Sequence, residues 1–466
     1  MVAELQPTKP HNVYNPNNVY QQIDESKISK SHWITVFMAG MGFFTDAYDL
    51  FIIGTVTILL TPIWNLSTNE ISFLNSASLL ASALGALLFG KLIDRLGRKS
   101  IYGFEATCLT LGALLSAFSW NFTSLLIFRI LVGFGVGGDY ATSSVITSEY
   151  SNRSARGKLI GTVFAMQGFG LIAGPLVAAS LLSFGVSHIL AWRIMLGLGA
   201  IPAASVIYLR RRIHETPRYS LNVTGDMKKA VEAANWATGS VMAVDSIVES
   251  TIKTTKSRFK LSDRKFLLRL VGTGGAWFLM DIAFYGNSIS SPILLKALRP
   301  HSTLLTNILL AAGIFTLFAV PGYWIAVRLI DKIGRKYIQL QGFTVMTLAF
   351  GAIAIIPNLT KNPSAFLLLF GISYFFIEFG PNMTTFIYPS EIFPTSLRGT
   401  GEGISAGLGK LGAFIGALMI PHLIKSIHLN GVMGTMAVIS GLGFILTLIL
   451  LPEPKNKSLE EASTEL

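Results

Sequence analysis

The sequence predicts an all-α membrane protein of twelve transmembrane helices in two pseudo-symmetric six-helix bundles, and three observations predict it. Hydrophobic residues make up 51% of the 466 residues, charged residues only 13%, and the mean hydropathy is +0.55. A water-exposed surface needs about 25% charged residues, so the main solvent of this chain is lipid. Apolar runs of about 20 residues, long enough to cross a bilayer as a helix, recur along the chain. Marked loops of the first half also return in the same order in the second.

The runs cover roughly 33–62, 70–93, 99–119, 122–149, 157–184, 188–210, 265–295, 302–330, 336–357, 363–389, 399–425 and 430–452. An even number of crossings puts both termini on one side. Basic residues gather after the second span (Lys91, Arg95, Arg98, Lys99), the fourth (Arg153, Arg156, Lys158), the sixth (Arg210, Arg211, Arg212) and the eighth (Arg328, Lys332, Arg335, Lys336). The intervening loops hold only Lys296, Arg299, Lys361 and Lys425. Cytoplasmic loops carry the excess of Lys and Arg, so both termini are expected in the cytoplasm. The net charge of +12 is thereby read as topology and not as a nucleic-acid surface.

Residues 1–32 form a polar cytoplasmic tail with Pro7 and Pro10 and no apolar core, so no cleavable signal peptide is expected. Residues 33–210 make the first bundle and 265–452 the second, with a tail over 453–466. The polar stretch 211–264 connects them on the cytoplasmic side. Loose helical spacing of Met227, Val231, Ala234, Val241, Val244 and Ile247 predicts short surface helices within it. The single Cys108 cannot form an internal bridge.

Gly90-Lys-Leu-Ile-Asp94-Arg-Leu-Gly97-Arg98-Lys99 recurs as Val327-Arg-Leu-Ile-Asp331-Lys-Ile-Gly334-Arg335-Lys336. Ser148-Glu149 with Arg156-Gly157 recurs as Ser390-Glu391 with Arg398-Gly399, and Glu215-Thr-Pro217-Arg218 has a looser echo in Pro452-Glu453-Pro454-Lys455. Matched marks in order argue for a duplicated six-span unit. Such loops resemble those of the major facilitator superfamily over nearly the whole chain. Asp94 with Arg95 and Arg98 can build a charge cluster with Glu149 and Arg156, with Asp331, Arg335, Glu391 and Arg398 as its copy. The resemblance implies a latch on the cytoplasmic side.

An ionisable residue deep in a span costs ~2.5–3.5 kcal/mol on insertion scales, so each one is a functional hypothesis. Asp46 and Asp49 lie in the first span, Arg129 and Asp139 in the fourth, Asp281 in the seventh, Glu378 in the tenth and Lys410 in the eleventh. Asp46 and Asp49, three apart, share a helical face, and Trp277, Asp281 and Tyr285 form one polar-aromatic stripe. Asp46, Asp281 and Lys410 reach the middle depths of the bilayer, which implies a midplane site lined by both halves. Arg129 reads equally as the partner of a structural ion pair or as part of proton coupling. Glu378 stands beside a Gly-Pro break whose freed backbone groups a carboxylate can satisfy, and is read as structural.

Gly137-Gly138-Asp139-Tyr140 leading to Ser148-Glu149 resembles the signature of the phosphate:H+ symporter family. Asp46-Ala-Tyr-Asp49, Trp277-Phe-Leu-Met-Asp281-Ile-Ala-Phe-Tyr285, Phe379-Gly-Pro-Asn382-Met-Thr-Thr-Phe386 and Gly403-Ile-Ser-Ala-Gly-Leu-Gly-Lys410 are similar to that family too. Ala141-Thr142 stand where it commonly has Pro-Leu. The resemblance implies that phosphate is held between Tyr140, Gln167, Trp277, Asp281, Tyr285, Asn382 and Lys410, with Asp46, Asp49 and Asp139 on the proton route.

The physics of the ligand points the same way: a compact anion wants a lysine point charge and neutral donors, whereas a sugar has no need of Lys410. An anion entering a cell that is negative inside works against ~2.3 kcal/mol per charge per 100 mV, so uptake needs co-moving cations. Carboxylates in a low dielectric take up protons readily and suit that work. The expectation is a proton-coupled importer of inorganic phosphate in the plasma membrane, working by alternating access. A sugar or organic-anion transporter of the same fold and a phosphate-sensing receptor are the rivals. No metal cluster, nucleophile–base set or P-loop motif points to an enzyme or a cofactor, and the oligomeric state is left open, a monomer being sufficient.

Overall fold

The computed structural model describes residues 16–239, 261–289, 294, 295, 298 and 301–464. It is helical, with no strand among the described residues, and has twelve helices long and apolar enough to cross a membrane. They are Lys30–Trp64, Thr68–Leu96, Arg98–Ala117, Phe122–Tyr150, Arg156–Ser183, His188–Thr224, Arg264–Ile289, Leu304–Ile333, Arg335–Ile355, Pro363–Ile392, Thr395–Ile420 and His422–Leu450. These match the twelve apolar runs in order.

Local sequence sets the helix ends. Ser67 and Glu70 form a reciprocal capping box at the start of the second span, and Asn121 with Ser124 does so for the fourth. The sixth span stops being a membrane helix at Arg212, after which the chain runs extended through Ile213 into the short turn that begins at Pro217. The tenth span is broken: one helix ends at Glu378 and the next begins at Pro381. Gly380 is required at that break, because a Cβ there would sit 2.3 Å from the Phe376 carbonyl and 2.6 Å from the Gly342 Cα. The eleventh span runs directly into the twelfth, with one non-helical residue, His428 (φ 58°), at the corner.

Side chains that face outward are apolar, as at Leu84, Leu87, Leu88, Leu348 and Ile449, which lipid rather than water can cover. Inside, the core is continuous across both halves: Phe43, Tyr140 and Phe164 of the first pack with Trp277, Tyr323 and Phe386 of the second. The second and eleventh spans touch backbone to backbone. A Cβ on Gly90 would lie 2.4 Å from the Gly399 carbonyl, and one on Gly403 would lie 2.3 Å from the Ala86 carbonyl. Small residues permit that approach between helices where lipid offers no hydrophobic drive.

The expected short surface helix of the connection appears as Met227–Thr238, whose Met227, Val231 and Ala234 pack on Val19 and Ile23 of a helix at Pro16–Asp24. Val241, Val244 and Ile247 lie outside the described residues.

Candidate functional site

The central residues come from seven spans and are all buried. Lys410 of the eleventh span donates to the Tyr285 hydroxyl at 2.7 Å, and its ammonium lies 3.9 Å from the Tyr140 ring centre and 4.5 Å from that of Tyr285. It makes no ion pair within 4.0 Å among the described residues. Asp46 and Asp281 are the carboxylates that act on it through space. A desolvated cation clasped by aromatic faces and a phenol is a fixed positive charge with donors to spare.

The Tyr140 hydroxyl donates to Asp46 Oδ2 at 2.8 Å and lies 3.3 Å from the Tyr285 hydroxyl. Gln167 Nε2 donates to the Tyr140 hydroxyl at 2.5 Å and to Asp46 Oδ2 at 3.3 Å. Tyr323, on the eighth span, donates to Gln167 Oε1 at 3.2 Å and accepts from Asn382 Nδ2 at 3.0 Å. Trp277 packs against Gly409, beside Lys410, with its ring centre 5.9 Å from that of Tyr140. Asp281 is fully buried, and neither of its carboxylate oxygens has a hydrogen-bond partner among the described residues. Tyr140, Gln167, Trp277, Asp281, Tyr285, Asn382 and Lys410 thus converge between the halves, with Asp46 beside them. Such an arrangement can hold a small anion on one cation and several neutral donors.

Asp49, Arg129 and Asp139 are elsewhere. Although Asp46 and Asp49 are three residues apart, they serve different partners: Arg129 grips both oxygens of Asp49 at 2.6 Å. Asp139 accepts from Arg210 at 2.7 and 3.1 Å and from the Ser143 hydroxyl at 2.6 Å, and Arg210 also reaches Glu105 at 3.2 Å and the Met38 carbonyl. Arg210 was expected as a loop cation after the sixth span; it is instead wholly buried, because Asp139 and Glu105 draw it back into the bundle.

A second assembly lies at the end of the bundle that carries the N- and C-terminal helices. Asp94 accepts the backbone N–H groups of Gly399 and Thr400 at 3.0 and 2.6 Å, and Asp331 accepts those of Gly157 and Lys158 at 3.0 and 2.7 Å. Each aspartate therefore caps the N-terminus of a helix in the other half, where the dipole favours an anion. Glu149 binds Arg98 of its own half at 3.0 Å and Arg398 of the other at 2.8 Å; Glu391 binds Arg335 of its own half at 2.8 Å and Arg156 of the other at 2.8 Å. Two expectations need correction. Arg156 pairs with Glu391, not Glu149, because it sits at the start of the fifth span against the opposite half. Arg95 is exposed and joins no ion pair among the described residues, since the helix turns it away from Asp94 and toward solvent.

Glu215 accepts the N–H groups of Arg98 and Lys99 at 3.1 and 3.2 Å, and Glu453 those of Arg335 and Lys336 at 3.1 and 2.9 Å. The looser echo between the two segments is thus one structural device used twice. Outside the spans, Arg218 binds Asp24 at 2.8 Å and Glu460 at 2.9 Å, tying the N-terminal helix to the C-terminal helix Leu459–Thr464. Burial alone would push the Glu460 carboxyl up, but Arg218 beside it holds it below its ordinary 4.5.

Sequence reasoning missed Tyr323, Glu105, Arg210 and Glu402. The last is fully buried in the eleventh span, with neither carboxylate oxygen hydrogen-bonded among the described residues. For Glu105 and Glu402 the signal was available, an acid within an apolar run; for Tyr323 there was none.

A family model described as "Sugar (and other) transporter" matches residues 34–466. Inorganic phosphate transporter 1-1 of Arabidopsis thaliana is 37% identical, covering 96% of this chain and 97% of that protein. Low affinity inorganic phosphate transporter 8 of Medicago truncatula is 38% identical, covering 96% and 93%. Among solved structures, the proton:xylose symporter XylE bound to 6-bromo-6-deoxy-D-glucose superposes with a TM-score of 0.80 at 21% identity, over 94% of this chain and 99% of that one.

Proposed function

The chain belongs to the sugar (and other) transporter family of the major facilitator superfamily, within its inorganic phosphate transporters, and from that premise we propose that it is a proton-coupled symporter importing inorganic phosphate by alternating access. The observation that carries this reading is Lys410: a fully buried cation between the two halves, held by Tyr285 and lying over the ring of Tyr140, to which Gln167 and Trp277 are joined in turn. A neutral sugar gains nothing from a desolvated ammonium; a compact anion does.

Lys410 supplies the charge, the phenols, indole and amides orient the oxygens, and Asp281 accepts from a ligand hydroxyl. Asp46, touching Tyr140 and Gln167, links proton uptake to the same donors. Asp49 with Arg129 and Asp139 with Arg210 lie on either side as further carriers, and in each pair the arginine gives up its partner when a proton takes its place. The cross-half bonds of Asp94, Asp331, Arg398 and Arg156 hold the cytoplasmic side shut while the outer side admits substrate. Their release lets one half rock on the other. The protein sits in the plasma membrane with both termini inside.

Labelled phosphate uptake into proteoliposomes under an imposed pH gradient tests the proposal, with sulfate, arsenate and glucose as competitors. Uptake against the concentration gradient, inhibited by arsenate and not by glucose, is expected. Glucose-sensitive uptake would favour the sugar transporter.

A further inference from the structure

The sequence assigns Glu378 to the backbone groups freed at the Gly-Pro break of the tenth span. The structure gives that work to others. The Phe379 carbonyl accepts from the Gln341 side chain at 2.7 Å, and the N–H groups of Phe379 and Gly380 are bonded to the carbonyls of Phe375 and Ile377. Glu378 accepts no backbone N–H among the described residues. Its Oε2 instead takes the side-chain amide of Asn382 at 2.6 Å, and its Oε1 has no partner among the described residues, although the residue is fully buried.

A buried acid with an unused oxygen and no ion-pair partner among the described residues is expensive as an anion and cheap as a neutral acid. The titratable groups around it are Tyr323 of the eighth span, Tyr374 one turn earlier on its own helix, and Asp281 and Tyr285 of the seventh. None is a cation. The same Asn382 amide nitrogen that binds Glu378 also donates to Tyr323, which leads through Gln167 to Tyr140 and Asp46. Two carboxyl groups, each with one unused oxygen, therefore stand at the two ends of one hydrogen-bonded chain.

We infer that Glu378 is a second proton-binding site of the transport cycle, and that its charge decides whether the Asn382 amide is held back or released to the substrate. The inference rests on the proposed phosphate symport. Ionised Glu378 claims the amide N–H; protonated Glu378 lets it turn to a phosphate oxygen. With the outer path open, an O–H bond forms at Oε1 as one breaks in a hydronium ion, leaving water. With the inner path open, the proton returns to water and the amide is recaptured. No electrons change hands. An ionised Asp281 cancels Lys410, so a singly charged phosphate meets two further negative charges unless Asp46 and Glu378 both carry protons.

The test uses the full chain in proteoliposomes with the membrane potential clamped at zero, and plots the logarithm of the phosphate accumulation ratio against the imposed pH difference. The slope for Glu378→Gln should be smaller than wild type by one proton per phosphate, and Glu378→Asp should restore it. An unchanged slope in Glu378→Gln overturns the inference. A wild-type protein that does not concentrate phosphate overturns the phosphate reading instead. In that case, or if Glu378→Gln moves no phosphate, infrared pH-difference spectra decide: the C=O band of one protonated carboxyl should be present in wild type and missing in Glu378→Gln. Identical spectra overturn the inference.

Discussion

Asp94 on the second span and Asp331 on the eighth perform one exchange: each leaves its own bundle to accept two backbone N–H groups at the head of a helix in the other. A hydrogen bond to a charged group is worth ~2 kcal/mol, which is about thirtyfold in an equilibrium. Asp331→Ala should therefore shift the resting protein toward the inward-open state. A Met383→Cys reporter in a Cys108→Ser background sits buried where the fifth and tenth spans meet. Its labelling by an impermeant thiol reagent from the cytoplasmic side should rise tenfold or more in Asp331→Ala; equal labelling would remove Asp331 from the latch.

Lys410→Ala should weaken phosphate binding at least a hundredfold, because taking the charged partner from a buried site costs ~3–5 kcal/mol. Equilibrium binding of labelled phosphate in detergent measures this directly. Near-normal affinity would place the anion elsewhere.

Asp281 faces an anion with another anion, which suits a ligand that still carries a hydroxyl. Phosphate near neutral pH keeps at least one and sulfate keeps none, so the carboxylate accepts from the first and repels the second. In Asp281→Asn, sulfate should compete better against phosphate at fixed pH without a gradient. If competition is unchanged while gradient-driven uptake is lost, Asp281 is a proton carrier only.

For Arg129, two substitutions separate its two readings. Arg129→Gln alone strands the buried Asp49 and should cost ~3–5 kcal/mol of stability, read as a lower melting temperature in detergent. Arg129→Gln with Asp49→Asn should recover most of that loss. If the recovered double variant still concentrates phosphate on a pH gradient, the pair is structural; if it only equilibrates phosphate, the pair belongs to coupling.

The C-terminal helix carries its own pH signature. Because the folded carboxyl of Glu460 is held below its ordinary 4.5, the Arg218 tie contributes its full stability above that value and loses it as pH falls through the depressed value. Hydrogen exchange of Leu459–Thr464 should accelerate only in that acidic window, and Glu460→Gln should exchange fast at neutral pH without the step.

The spans were legible because a lipid solvent imposes one length and one polarity on every crossing, and the duplicated loops because Asp94 and Asp331 do identical work. Asp46, Asp281 and Lys410 were legible for the same reason, as costly charges inside spans; Glu105 and Glu402 carry the same signal and were missed. The partners of the buried charges were not legible. Nothing in the run Arg210-Arg211-Arg212 says that its first member turns inward to Asp139, and nothing local to Tyr323, an aromatic in an apolar helix, says that it bridges Gln167 and Asn382. Those facts belong to helices brought together from distant parts of the chain, and spacing along one helix cannot encode them.

Glu149 and Glu391 each hold two arginines, one from home and one from across the interface. When the halves part, the home pair persists, so neither carboxylate is left bare; only Arg398 and Arg156 are set free, and they meet water that carries dissolved ions. Mobile anions screen such newly wetted charges within about 8 Å at physiological ionic strength. In the proposed cycle, salt on that side thus becomes a lever on orientation: concentrated salt favours the form in which these arginines are wetted, and dilute salt the form in which this face is shut.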